Sequence, residues 1–222
     1  MINEWIIPNI TNILFFQTIW MLEKKTDVYK LSNIFTLWGS LGTAMFSTLY
    51  MITEKPILIY MTHSMFITHL LFELVYGCIY FPQHMNLYTT YIHHFLYLFL
   101  EYKLIDSDIF KWTVCMLLEE APTFLLNCKR YFKIKNKHFE LLYGTSFILI
   151  RIIYQVFLYF KLHQYIMSDV FYVAIFNISL CAHCKWGYMW IHKYIKMSHE
   201  NYPSKSHQSN QVTPTPPIPP IP

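Results

Sequence analysis

Charge is what this sequence has least of. Asp, Glu, Lys and Arg make up only 14% of its 222 residues, where a soluble domain carries about 25%. A water-facing surface over the whole chain is therefore excluded. Glycine is also scarce, with five in all. No inverted repeat and no paired Gly/Pro-broken segments are visible, which argues against a transporter or channel. Five cysteines are scattered through apolar stretches; the odd count gives no disulfide framework. The first apolar stretch lacks a basic leader and a small-residue cleavage site, so it reads as a retained span rather than a signal peptide. A net charge of +4, with the basic residues flanking hydrophobic runs, does not point to nucleic acid.

Apolar residues are abundant: 55% are hydrophobic and 19% aromatic. A helix needs about 20 mostly apolar residues to cross a hydrocarbon core. Seven segments come close, at 5–22, 34–53, 57–81, 84–104, 109–128, 140–161 and 166–195. Pro56, Phe81-Pro82-Gln83 and Asp106-Ser107-Asp108 mark breaks between them, with Ser107 or Asp108 placed to cap the fifth helix. The first segment is the weakest, because Asn3, Glu4, Pro8, Asn9 and Asn12 crowd its start. Two counts stay open: seven spans, or six with an interfacial first helix. The expected fold is all-α, a polytopic transmembrane helical bundle of six to seven spans.

Loop charges favour seven. With alternating sides, eleven Lys and Arg residues fall on one side and four on the other. The positive-inside rule then puts the C-terminus in the cytosol. Three regions are expected: residues 1–33 as first helix and basic loop, 34–197 as the membrane domain, and 198–222 as a disordered Pro-rich cytosolic tail. The tail ends in Thr213-Pro-Thr-Pro-Pro-Ile-Pro-Pro-Ile-Pro222. It is solvated chain or a ligand for a proline-recognition module.

Ionisable side chains inside spans are costly and mark sites by default. His93 and His94 lie about ten places into the fourth segment, Glu119 and Glu120 about ten into the fifth, and Arg151 about ten into the sixth. His69 lies in the third, with Glu73 one turn on, and His183 near the middle of the seventh. These depths converge on one plane. One reading is a charge-satisfaction network, with Arg151 paired to Glu119 or Glu120. The other is a lined cavity, since consecutive histidines on a helix point about 100° apart. Histidine titrates near neutral pH, which suits acid–base chemistry. Cys181-x-x-Cys184 is half a zinc pattern, but it lies within one helix and has no second pair, so no metal is expected. Tyr91-Ile92-His93-His94 lacks the leading His of the desaturase and elongase boxes.

In order, these residues resemble the TLC-domain family, which includes the ceramide synthases and the short TLC-domain proteins. Met65-Phe-Ile-Thr-His69-Leu70 resembles its YFIxDL-like stretch, with His69 in the acidic position. Tyr91-Ile-His93-His94-Phe95 resembles its His-His hallmark, and MLLEEAPTFLLN from Met116 to Asn127 its acidic-then-Pro segment. Phe147-Ile-Leu-Ile-Arg151 resembles its F-x-x-x-R, and Trp186 to Lys196 its aromatic final span. The likeness runs from about residue 34 to 197. It implies a bundle around a lipid-accessible cavity in the endoplasmic reticulum, with membrane lipids as partners and a homo- or hetero-dimer as one assembly. For the ceramide-synthase branch it implies acyl transfer from acyl-CoA, as co-substrate rather than bound cofactor, to a sphingoid amine. His93 and His94 would be catalytic; His69, Glu119, Glu120 and Arg151 would support them or bind substrate. The further aspartates of ceramide synthases are replaced here by Glu119-Glu120-Ala-Pro, and no homeobox-like insert is present. That places the chain nearer the short members, whose roles in lipid composition, fluidity or trafficking need not be catalytic. Lipid enzyme and lipid-binding or lipid-sensing protein therefore both stand.

Overall fold

The computed structural model describes residues 2–23, 28–80, 82, 91–105, 107 and 109–200. Asp106, Asp108, the first part of the fourth segment and the Pro-rich run at 213–222 lie outside them. All secondary structure among the described residues is helical. Helix α1 is Ile2–Glu23, α2 Val28–Thr53, α3 Ile57–Tyr80, α4 His93–Leu104, α5 Phe110–Met116 and α6 Glu120–Tyr131. Then come α7 Lys137–Ile148, α8 Gln155–Lys161, α9 His163–Ile166 and α10 Val170–Glu200. Three helical runs are long and apolar enough to cross a membrane: Glu4–Glu23, Ile57–Tyr80 and Lys137–Lys161.

The distribution of polarity departs from that of a soluble protein. Ser40, Thr43, Ser47, Thr62, His63 and Ser64 are completely buried, while Val170 is 83% and Phe160 72% exposed. Many large apolar side chains on the outer surface, with polar side chains mixed into an otherwise apolar interior, suit surroundings that are themselves apolar. This is compatible with an integral membrane protein.

Helix ends follow local chemistry. Asn136 caps α7, its side chain accepting from the His138 N–H at 2.8 Å. Asp169 does the same for α10, accepting from the Phe171 N–H at 2.8 Å. Helix α6 closes in a Schellman turn: the Ile134 N–H donates to the Lys129 carbonyl at 3.0 Å, and Lys133 takes φ 52°, where glycine is usual. Glu54, also at φ 52°, ends α2 just before Pro56. Of the two expected caps on the fifth segment, Ser107 does not cap with its side chain, which donates to the Leu104 carbonyl at 2.8 Å, while its own carbonyl accepts from the Phe110 N–H at 3.1 Å; Asp108 lies outside the described residues. These turns define two ends of the bundle. The Pro56 end holds the start of α1, α3 and α5 and the end of α4; the Lys129 end holds the end of α6 and the start of α7.

Helix α2 packs most extensively on α3 and then α6. Small residues allow the approach. A Cβ added at Gly39 would collide with the His69 ring, and one at Gly42 would come within 2.6 Å of Met65 Cε. Aromatic residues fill the seam to α1, where Phe16, Phe35 and Phe72 interlock. Asn9 and Asn12 of α1, which weakened that segment as a span, both bond Ser64 of α3, at 2.8 and 2.9 Å. Replacing Gly39 with leucine is expected to destabilise the bundle by about 1–3 kcal/mol, the usual cost of overpacking. The melting temperature in detergent reads this out; an unchanged melt would mean α2 and α3 separate freely.

Candidate functional site

Among the described residues, helical regularity breaks at three places beside the mid-depth set. Residues 91–92 are π-helical just before His93 and His94. Leu117–Glu119 is a 3-10 turn leading into Glu120. Leu149–Tyr154 is a π segment centred on Arg151. The second break has a visible cause. Pro122 has no N–H to return to the Leu118 carbonyl, and its ring crowds that carbonyl. The neighbouring Glu119 carbonyl then accepts from Arg151 Nε at 2.9 Å. Departures of this kind re-aim side chains within an otherwise fixed rod.

These side chains surround a cavity of about 790 Å³. His69 and Glu73 from α3, His93 and His94 from α4, Glu120 and Arg151 line its inner part. Lys129, Arg130, Glu140 and Lys193 line it at the Lys129 end. Glu140 is buried and forms ion pairs with Lys129 and, at 3.6 Å, with Lys193 Nζ. Three cations against one carboxylate leave that mouth positive.

Inside, the closest acid–base contact joins His94 to Glu73, Nε2 to Oε2 at 3.0 Å. The other Glu73 oxygen accepts from the Thr36 hydroxyl. A carboxylate oxygen facing Nε2 assigns the proton to that nitrogen and leaves Nδ1 as the acceptor. Nδ1 has no hydrogen-bond partner among the described residues. The arrangement is a buried Thr36–Glu73–His94 chain, in which the carboxylate holds one histidine tautomer. His93 lies at the cavity wall with its ring 4.6 Å from that of Tyr97. His69 packs edge-on to Phe66 under Gly39.

Arg151 is held from four directions. Besides the Glu119 carbonyl it donates to Thr123 Oγ1 at 2.5 Å, and its Nη1 lies 3.3 Å from His183 Nε2. Its Nη2 is 3.7 Å from Glu120 Oε1. His183 Nδ1 lies 2.8 Å from Gln155 Oε1, so the proton sits on Nδ1 and Nε2 accepts from the guanidinium. The expected pairing of Arg151 with the acidic pair is thus split: Glu120 supplies its carboxylate, and Glu119 its backbone oxygen. The Glu119 side chain turns instead to a second, smaller cavity of about 80 Å³, which Glu120 and Arg151 also line.

The structure therefore brings His69, His93, His94, Glu120 and Arg151 to one cavity, with Glu119 next door. Sequence depth placed Glu73 and His183 at the right level without giving them a role. Thr36, Thr123 and the basic mouth carried no signal, since hydroxyls in spans and lysines at span ends are ordinary. Among the described residues, no group of three His, Cys, Asp or Glu side chains is arranged to hold a metal ion, and Cys181 and Cys184 are exposed. Compared with protein-family models, curated proteins and solved structures, the chain matches none.

Proposed function

We propose that this chain is a multi-pass membrane protein of six to seven spans, with its C-terminus in the cytosol of endoplasmic-reticulum membranes, that acts on membrane lipids by acyl transfer. One observation carries the reading: a single cavity joins the Glu73-held His94 to the mouth formed by Lys129, Arg130 and Lys193. A thioester of coenzyme A has the matching polarity, with anionic phosphates for the mouth and a reacting carbonyl for the interior. The likeness to ceramide synthases supports the same co-substrate.

In this reaction the His94 ring shifts to bring Nδ1, which is buried in the structure, to the cavity, and Nδ1 accepts a proton from the attacking amine or hydroxyl of the acceptor lipid as that atom bonds to the thioester carbonyl carbon. The C–S bond then breaks, and the imidazolium returns the proton to the departing thiolate. Glu73 stabilises the transient imidazolium and keeps Nδ1 free. His93, at the cavity wall, orients the acceptor. The apolar surround excludes water, which would otherwise hydrolyse the thioester.

The purified protein in lipid nanodiscs, given long-chain acyl-CoA and a panel of amine and hydroxyl lipids, is expected to form an amide or ester detectable by mass spectrometry. No product with any acceptor would remove acyl transfer. Replacing Arg130 and Lys193 together with alanine is expected to raise the KM for acyl-CoA about tenfold or more, since a hydrogen bond to a charged group contributes about 1.5–3 kcal/mol. An unchanged KM would place the phosphates elsewhere.

A second reading, a lipid-binding or lipid-sensing protein without catalysis, is favoured by Arg151. Its donors are directed to the bundle itself, as in a group that holds helices together. Retention of a defined lipid through purification, with no turnover, is its signature.

A further inference from the structure

A second buried acid–base pair stands apart from the cavity chemistry. His63 of α3 and Glu101 of α4 meet at 2.6 Å, Nδ1 to Oε2, and both are buried. The other ring nitrogen of His63 faces oxygens too, the Phe110 carbonyl at 3.3 Å and Thr113 Oγ1 at 3.2 Å. The Thr113 proton is already directed to the Phe110 carbonyl, at 2.7 Å. Both imidazole nitrogens therefore have polar partners, a carboxyl group on one side and two oxygens on the other.

The pair lies toward the Pro56 end, opposite the basic mouth. Outward of it, one turn back along α3, Tyr60 is hydrogen-bonded to Glu4 of α1, and Glu4 is exposed. Trp5 and Phe110 pack beside Tyr60, and Phe110 stacks on the His63 ring at 4.2 Å. Inward of it, Glu101 lines the smaller cavity, and Glu119, Glu120, Arg151 and Gln155 line that cavity too. At about 30 Å³ per molecule in the liquid, 80 Å³ accommodates two or three waters, which the carboxyl groups, Arg151 and Gln155 can bond. Glu119 Oε1 is buried there with no hydrogen-bond partner among the described residues. Glu120 and Arg151 line both cavities, and the larger one continues past Glu73 and His94 to the Lys129 end.

Ionisable groups are thus spaced along the bundle, with the Phe110 ring between Tyr60 and His63 and the smaller cavity between Glu101 and Glu119. We propose that this file is a proton pathway: protons pass from Glu4 and Tyr60, by water admitted when the Phe110 ring swings aside, to His63–Glu101, and from there by water in the smaller cavity to the Glu119–Glu120 carboxyl groups, the larger cavity and its basic mouth. Each step moves one proton between oxygen and nitrogen atoms or water, and needs no other reactant. Arg151 at the junction repels sodium and potassium, whereas carboxylates beside it relay protons without admitting an ion. The proposal does not depend on acyl transfer and is tested without acyl-CoA.

The full chain is reconstituted in potassium-loaded vesicles containing a pH-sensitive dye, and valinomycin sets the membrane potential. The expected result is proton influx well above that of empty vesicles, no sodium flux, and at least a fivefold fall in Glu101→Gln, which keeps the shape of the pair. Glu119→Gln, at the far side of the smaller cavity, is expected to lower influx similarly. Melting temperatures of both variants are measured alongside. Influx equal to empty vesicles overturns the proposal. So does influx that Glu101→Gln and Glu119→Gln both leave unchanged, or that sodium shares.

Discussion

Glu73→Gln is expected to lower the proposed acyl transfer by about 10²–10⁴-fold while leaving the fold intact, the range seen when a positioned base loses its function or its partner. The substitution is nearly isosteric, so Thr36 keeps an oxygen to bond. What changes is the group facing His94 Nε2 at 3.0 Å. An amide can present its NH2 there, which requires Nε2 as acceptor and moves the ring proton to Nδ1. The nitrogen that should receive the proton from the acceptor lipid is then occupied. A carboxylate also stabilises the imidazolium of the transition state, and an amide does not. His94→Ala should cost about as much, and the double variant little more, because the two act as a unit. Turnover in nanodiscs measures the rates. The ¹⁵N shifts of a labelled His94 report the tautomer directly, without turnover. Activity within twofold of the parent, or an unchanged tautomer, would take Glu73 out of the mechanism.

Arg151→Met will destabilise the bundle more than any change at the histidines. Removing one member of a buried charge pair typically costs about 3–5 kcal/mol, because the partner stays buried and uncompensated. Here the side chains left behind are Glu120, 3.7 Å away, and His183, whose Nε2 loses its donor. The Glu119 carbonyl, exposed by the 3-10 turn before Pro122, loses its donor as well. For a chain of this length the melting temperature should fall by roughly 6–20 °C. Adding Glu120→Gln to Arg151→Met should recover part of the loss, since the uncompensated charge is then gone. Arg151→Lys should not restore the parent stability, because an ammonium cannot reach the Glu119 carbonyl, Thr123 and His183 in one plane. A melt within 2–3 °C of the parent, on the same scaling, would mean that water, not protein, satisfies Glu120.

The helical class and the polar levels of this protein are legible in its composition and spacing. Spans announce themselves by length and hydropathy, and residues equally far from span ends share a depth whatever the rotation of each helix. That reasoning placed His93, His94, Glu120 and Arg151 at one level, and the structure places them around one cavity. Rotation is another matter. A soluble helix writes its inward face as a polar–apolar stripe, but a helix among lipids is apolar all round and writes it faintly. Sequence spacing therefore could not decide which carboxylate meets His94. Glu119 and Glu120 stood at the same depth; Glu73, a turn further along α3, is the one in contact.

Irregular backbone adds to this. The 3-10 turn at Leu117–Glu119 and the π segment at Leu149–Tyr154 change the angular phase of everything beyond them. Pro122 signals a disturbance, yet not its outcome, which is that Glu119 gives Arg151 its backbone oxygen and turns its carboxylate to a different cavity. The strongest feature at the start was the shortage of charge, which is compatible with an integral membrane protein: most Lys and Arg stand at helix ends, and the few ionisable groups within helices are turned inward. Which of those charges face one another was decided only by tertiary packing, because a pair needs the right angle about two helix axes, and depth supplies neither.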